Sequence, residues 1–112
     1  MIVKTVLYLK LKNGKSPLAD WLDSLDKTIS KRIKSRFVRL EEGNYGDCKK
    51  LANSELSELR YNFGKGYRIY CIEIDDMILL LVNGGDKSSQ TKDVENAQKL
   101  LIEWRLENEQ KI

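Results

Sequence analysis

Histidine is absent from the 112 residues of the chain, and cysteine is nearly so. Without histidine, catalytic triads that use an imidazole base and the usual zinc sites are excluded. The two cysteines, Cys48 and Cys71, show no CxxC spacing, so we expect free thiols in a reducing compartment rather than a disulfide or a metal site. An enzyme built from this chain must therefore move protons with other side chains or with water.

Long apolar runs are also lacking. No stretch approaches the roughly 20 apolar residues that span a bilayer, and the first residues, MIVKTVLYLKLK, alternate in polarity and have no cleavage-type ending. We therefore expect a cytoplasmic protein that does not contact membranes. The length suits one domain over residues 1–112, and 41% apolar with 33% charged residues allows a modest core under a charged surface.

Charge is distributed unevenly along the chain. Residues 1–60 carry 13 Lys/Arg and 8 Asp/Glu, whereas residues 61–112 carry 7 and 9. A basic first half suits an anionic partner such as nucleic acid, although charge alone is explained just as simply by solubility. Much of the excess lies in KTISKRIKSRFVRLEE, whose basic residues either follow RNA phosphates or form a solvated helix face.

Alternating polarity and capping residues predict the first elements. Residues 2–12 alternate with period two, which indicates a half-buried strand. Ser16 and Pro17 are typical of a helix start, and Asp26 can cap a second helix that ends at Gly43. Because the connection between these helices is short, we expect an antiparallel helical hairpin. A glycine- and asparagine-rich loop, GNYGDCKKLANS, follows.

Three strands and a last helix complete the predicted order. Glycines and the pair Asp75–Asp76 supply turns between strands expected at 56–63, 67–74 and 77–83, and a final helix is expected at about 92–109. The first strand must pair with this meander. We therefore predict an α+β domain: a small twisted antiparallel β-sheet with an N-terminal strand, an α-helical hairpin, a three-strand meander and a C-terminal helix.

The first hairpin of the meander, ELRYNFGKGYRIYC, places two arginines inside predicted strands. If GKG forms a three-residue turn, Arg60 pairs with Tyr70, and Arg60, Arg68 and Tyr70 share one face; a two-residue turn would separate them. Such a cluster suits a phosphate, because guanidinium groups bind phosphate oxygens in pairs. The alternative is that both arginines are solvated and paired with Glu58 or Glu73.

Three segments together carry a family resemblance. GDCKKL, ELRYNFGKGYRIYC and LLLVNGGDKSSQTKDVENA, placed after a two-helix segment, resemble the RelE/ParE superfamily of toxins and, within it, the phage-derived group of HigB-like addiction module killer proteins. The resemblance spans nearly the whole chain. It implies a RelE-like fold and a toxin of a type II toxin–antitoxin system, neutralised by a cognate HigA-like, DNA-binding antitoxin. Many members cleave mRNA on the ribosome, whereas ParE-type members poison DNA gyrase.

The resemblance also implies positions for the site. The ribonucleases of the superfamily grip the scissile phosphate with positive residues that match Arg60, Arg68 and Lys87, and the GYR context supports Arg68 most directly. Relatives carry a Tyr or His for proton transfer near the start of the last helix, where this chain has SSQTKD. That role is then either unfilled or taken by Tyr70 or Tyr67. Further RNA contacts are expected from Lys49, Lys50, Tyr67 and Ser88.

Cleavage by this route needs neither a metal ion nor a small-molecule cofactor. A base deprotonates the 2′-OH, which attacks the adjacent phosphate, and nearby cations stabilise the charge that builds up in the transition state. Without histidine the base is a tyrosine, a water or a lysine such as Lys49, Lys50 or Lys87, unless catalysis rests mainly on positioning the RNA. The sequence thus predicts an mRNA endonuclease that acts with the ribosome. A gyrase inhibitor without nuclease activity and a non-toxic nucleic-acid-binding module are the alternatives.

Overall fold

Five β-strands and three α-helices follow one another in the computed structural model, which describes residues 3–64, 66–85 and 87–109. The elements are β1 (Thr5–Tyr8), α1 (Pro17–Ser24), α2 (Lys27–Glu41), β2 (Cys48–Lys50), β3 (Ser57–Arg60), β4 (Arg68–Ile74), β5 (Met77–Gly84) and α3 (Gln90–Glu109), with one turn of 3₁₀-helix at Lys87–Ser89. The predicted α+β class, helical hairpin, meander and last helix are confirmed. None of the helices in these ranges is long and apolar enough to cross a membrane.

The sheet is mixed rather than antiparallel. Its strand order is β1-β5-β4-β3-β2; β1 runs parallel to β5, with Thr5 opposite Met77, and every other neighbouring pair is antiparallel. The prediction of an antiparallel sheet is therefore wrong for β1. No tight turn joins β1 to β5, and the elements between them provide the long connection that a parallel pair requires. The three-residue strand β2, predicted as a loop, forms the other edge.

The helix starts follow the capping signals of the sequence. The Ser16 side chain accepts a hydrogen bond from the backbone N–H of Ala19 at 3.2 Å, and Pro17 occupies the first turn of α1, where its missing N–H costs no intrahelical bond. Asp26 caps α2 by accepting a hydrogen bond from the N–H of Thr28 at 2.9 Å. Because this second cap lies so soon after the end of α1, the two helices form a hairpin.

Apolar side chains alternate between the two faces of the sheet, and helices cover both faces. The face under α1 and α2 buries one set of strand residues: Leu59, Ile69, Cys71, Ile78 and Leu80. The face under α3 buries a second set: Tyr70, Ile72, Leu79 and Leu81. The helical hairpin, the sheet and α3 therefore form three layers. Both cysteines are free thiols, as predicted, and burial raises the pKa of Cys71 to about 12.

A polar cluster ties the strands together near the start of the chain. Glu73 on β4 accepts hydrogen bonds from the Lys4 ammonium and the Tyr45 hydroxyl, and the Lys4 ammonium lies 5.9 Å from the centroid of the Tyr45 ring. The Lys4 contact, followed by the Tyr45 contact, holds the pKa of Glu73 below its usual value. The cluster thereby links β4 to the residue before β1 and to the loop after α2.

The hairpin between β3 and β4 has a register two residues away from the expected one. Arg60 pairs with Arg68 and Glu58 pairs with Tyr70, so the expected pairing of Arg60 with Tyr70 is wrong. The connection is longer than a three-residue turn, because the strands end at Arg60 and resume at Arg68. A shift of two residues nevertheless leaves every side chain on its expected face, whereas a shift of one would have reversed them all.

Aromatic packing explains why the connection is long. Tyr61, Phe63 and Tyr67 lie beyond the last strand residues and pack against one another, with ring centroids 6.0 Å apart for Tyr61 and Phe63 and 5.5 Å apart for Phe63 and Tyr67. The Tyr67 ring continues this packing to Trp21 of α1 at 5.9 Å. Burial of these rings against the helical hairpin competes with extension of the two strands toward the glycines.

Candidate functional site

The two arginines of the hairpin lie at one end of the sheet, where β3 ends and β4 begins. Arg60 and Arg68 are strand partners, and Gly84 at the end of β5 is the partner of Arg68 on its other side. Tyr70, two residues along β4, belongs to the core under α3. Side chains two residues apart on a strand share a face, so Arg60, Arg68 and Tyr70 lie on one face, as expected, through a different pairing.

A buried carboxylate holds the Arg68 guanidinium. Its Nε lies 3.7 Å from Oε1 of Glu58, whose side chain is only 2% exposed, and its Nη1 donates to the Gly85 carbonyl at 3.4 Å. The other Glu58 oxygen accepts a hydrogen bond from Nε2 of Gln90 at 3.0 Å. Arg68 itself is 15% exposed. Pairing with Glu58, one part of the alternative named from the sequence, thus occurs for Arg68, but the side chain is mostly buried rather than solvated, and the two contacts orient its guanidinium.

Arg60 makes a more open ion pair. Its Nη2 and Nε lie 2.9 Å and 3.2 Å from the same oxygen of Asp47, and the two side chains are 42% and 37% exposed. Asp47 immediately precedes β2, beside the end of β3. Because such solvated pairs contribute little free energy, Arg60 can exchange this carboxylate for another anion at small cost.

The Tyr70 side chain is fully buried and lies over Gly84. A Cβ atom at Gly84 would come within 2.6 Å of Cε2 of Tyr70, so only glycine leaves room for the ring. The Tyr70 hydroxyl makes no hydrogen bond of normal length and angle with the described residues, although it lies near the Glu58 carboxylate. Burial raises the pKa of this hydroxyl, and the negative charge of Glu58 raises it further. Tyr70 therefore keeps its proton and does not reach the surface beside Arg68.

A short turn between β5 and α3 carries two more predicted residues. Asp93 holds the turn, because its Oδ2 accepts hydrogen bonds from the Gly85 N–H at 2.8 Å and from the Ser89 hydroxyl at 2.7 Å. Lys87 is the first residue of the 3₁₀-helix, and its side chain lies outside the described part of the structure. Ser88 follows it and is exposed. The turn thus lies directly after Gly85, the residue that contacts Arg68.

The remaining predicted contacts lie on different surfaces. Lys49 is exposed on β2 opposite Glu58, which places it on the face of Arg68, whereas Lys50 is opposite Ser57 and lies on the other face. Tyr67 is half-buried in the aromatic packing against α1, away from the face of Arg68. Of these three residues, the structure brings only Lys49 to the face that carries the arginines.

Sequence reasoning missed the acidic and amide groups that position the arginines. The sequence predicts Glu58 only as a partner of solvated arginines, although its place two residues before Arg60 in SELSELR puts it on the same face. Asp47 and Gln90 had no local signal, because each reaches its partner through the tertiary fold. Across the described ranges, no group of three or more Cys, Asp or Glu residues is arranged to hold a metal ion.

Comparison with known proteins places the fold. No family model matches the chain. A protein of Haemophilus influenzae named only as uncharacterized is 40% identical over 87 residues, which cover 77% of this chain and 87% of that protein. Among solved structures, an arginine-to-alanine double mutant of the Escherichia coli toxin RelE in the free state matches with a TM-score of 0.61 at 14% identity, over 81% of this chain and 92% of RelE. The intact E. coli RelBE toxin–antitoxin complex matches with a TM-score of 0.53 at 15% identity, over 75% of this chain and 98% of the matched chain.

The chain therefore has the fold of E. coli RelE, which confirms the RelE-like fold implied by its sequence resemblance. At the level of sequence, it belongs to one family with the H. influenzae protein.

Proposed function

We propose that the protein is the toxin of a type II toxin–antitoxin system, of the HigB-like group, and that it cleaves mRNA on the ribosome. The observation that carries this proposal is the Arg68 guanidinium, which a buried Glu58 holds at the end of a RelE-like sheet beside its strand partner Arg60. A fixed cation at the surface is the group that a developing phosphate charge requires.

The proposed reaction is attack of a ribose 2′-OH on the adjacent phosphate. The new 2′-O–P bond forms as the P–O5′ bond breaks, the 2′-OH proton passes to a base, and the departing O5′ takes up a proton. Arg68 stabilises the extra negative charge on the phosphate oxygens in the transition state, and Arg60 contributes after releasing Asp47. No step requires a metal ion or a small-molecule cofactor.

The proton acceptor in this proposal is not Tyr70. Its hydroxyl is buried and its pKa is raised, so it neither reaches the 2′-OH nor ionises readily. Glu58 is also enclosed and is engaged with Arg68 and Gln90. Positioning of the RNA and stabilisation of the transition state then supply most of the rate, with water or an exposed lysine such as Lys49 as the acceptor.

The partners follow from the same proposal. The substrate is mRNA held in the ribosome, and a cognate HigA-like, DNA-binding antitoxin neutralises the toxin in the cytoplasm. The fold match to the RelBE toxin–antitoxin complex supports an antitoxin partner.

Translating ribosomes test the proposal directly. We expect the purified protein to produce new mRNA 5′ ends at A-site codons, mapped by primer extension, and we expect Arg68→Ala to abolish them. The matched control is Arg105→Ala. Arg105 lies on α3, away from the sheet end, and its guanidinium pairs with Glu55. This variant should cleave as the wild type does. Intact mRNA together with trapped gyrase–DNA complexes would instead identify a ParE-like gyrase inhibitor.

A further inference from the structure

A second cationic surface lies between α2 and the end of the sheet. It is a cleft of about 490 Å³ whose walls include three arginines of α2, namely Arg32, Arg36 and Arg39, together with Arg60 and Asp47. The α2 arginines occur at intervals of four and three residues, so they lie along one side of the helix. Asp47 is the sole acidic residue among those that line the cleft.

Arg36 forms the structural part of this cleft. Its guanidinium donates to the backbone carbonyls of Tyr45 at 2.8 Å and Asp47 at 3.0 Å, and also to the carbonyl of Arg60. It also lies 4.4 Å from the centroid of the Tyr61 ring. With these partners, Arg36 joins α2 to the ends of β2 and β3, and three of its five N–H donors are engaged.

Arg32 and Arg39 are different, because neither guanidinium has a hydrogen bond or an ion pair with any described residue. Both residues are exposed, and the Arg32 guanidinium lies 4.0 Å from the centroid of the Phe63 ring. Stacking on an aromatic ring restrains the guanidinium while leaving its N–H edge open. The cleft thus offers two unpaired cations beside two that are already engaged.

Arg60 joins the cleft to the site at the sheet end. It lines the cleft, and it is also the strand partner of Arg68. Arg60 therefore belongs both to the arginine pair at the sheet end and to the cleft that Arg32 and Arg39 line. Guanidinium groups bind phosphate oxygens in pairs, and their planes also stack on unpaired bases. A nucleic-acid backbone suits these cations better than an acidic protein segment does, because it can offer phosphates to the guanidinium groups and bases to their planes.

We infer that the cleft binds the sugar–phosphate backbone of single-stranded RNA next to the phosphate held at Arg68, with Arg32 and Arg39 each contacting one phosphate. The inference rests on the proposed function, because it extends the path of the same RNA away from the cleavage point.

Binding of a short single-stranded 2′-O-methyl RNA, followed by fluorescence anisotropy over a salt series, tests this inference. The 2′-O-methyl group prevents attack by the ribose, so binding is measured without cleavage. Loss of two phosphate contacts in R32A/R39A should make the slope of log K against log salt shallower by about 1.4. The matched control is K27A/K34A, which removes two exposed cations at the same spacing from the opposite side of α2 and should leave the slope unchanged.

Three results would overturn the inference: no binding of the RNA by the wild-type protein, equal slope changes in both double variants, or no change in R32A/R39A. If the RNA does not bind, and a poly-glutamate peptide binds the wild type but binds R32A/R39A more weakly, the cleft would instead be assigned to an acidic protein. Melting temperatures of both double variants equal to that of the wild type would show that the slope changes do not come from unfolding. Because the probe is not cleavable, each of these results is separate from the outcome of the ribosome assay.

Discussion

Replacing Tyr70 by phenylalanine removes one buried oxygen and nothing else. The hydroxyl lies near the Glu58 carboxylate but makes no hydrogen bond of normal length and angle with the described residues, and a buried polar group without such a bond costs about 1–3 kcal/mol. Its removal leaves a small void, which offsets part of that gain. We therefore expect the free energy of unfolding of Tyr70→Phe to equal that of the wild type or to exceed it by up to about 2 kcal/mol. At roughly 4 °C for each kcal/mol, the melting temperature should rise by several degrees.

Tyr61→Phe is the matched control with the opposite expected sign. The Tyr61 hydroxyl is also enclosed, but it donates to the Ile33 carbonyl at 3.2 Å. Loss of that hydrogen bond should lower the unfolding free energy by about 0.5–1.5 kcal/mol. Urea denaturation and thermal melts of the two variants measure both values, since each substitution deletes the same atom from the same side-chain type.

The Tyr70→Phe variant also tests whether the Tyr70 hydroxyl takes part in cleavage or only in packing. If Tyr70 serves only as packing over Gly84, Tyr70→Phe should still cleave mRNA at A-site codons at close to the wild-type rate. A destabilisation as large as that of Tyr61→Phe would show that the Tyr70 hydroxyl has a partner, which contradicts the structural argument. Loss of cleavage in a stable Tyr70→Phe protein would return the proton-transfer role to this residue.

Two further changes test the polar clusters. Glu58→Gln should lower the unfolding free energy by about 1–3 kcal/mol in urea titrations and slow cleavage, because an uncharged amide no longer holds Arg68; wild-type stability would contradict the proposed positioning role. Lys4, followed by Tyr45, lowers the pKa of Glu73, so its contribution to stability is present above the ordinary value of 4.5 and is lost as the pH falls through the lower folded-state pKa. Glu73→Gln should therefore flatten the acid side of the stability curve, and parallel curves for the two proteins would refute this.

Local patterns were sufficient for most of the fold. The caps at Ser16 and Asp26 act within one helical turn, so they could be recognised from neighbouring residues alone. The direction of β1 could not, because it depends on pairing with β5, to which no short turn connects it. Strand β2 was missed because three residues carry too little periodicity to distinguish a strand from a loop.

The candidate site likewise has features that local sequence patterns predict and features that depend on the tertiary fold. Period-two alternation correctly placed Arg60 and Arg68 on one face, and this result survived the error in register because the shift was two residues. The burial of Tyr70 could not be predicted, since it results from Gly84 on the neighbouring strand and from α3 above it. Likewise, Gln90 reaches Glu58 across a sequence distance that no local pattern reports.

The parallel pairing of β1 with β5 also determines when the sheet can be completed. Thr5 must find Met77 and Tyr8 must find Leu80, so the pair closes the largest loop in the sheet and belongs to the slow, non-local part of folding. The helical hairpin, by contrast, needs only nearby residues. A nascent chain still lacking β5 has no partner for β1 and no Gly84–Gly85 segment beside Arg68. Under the proposed function, the end of the sheet that carries Arg68 would therefore be assembled only when the protein's own translation is nearly finished.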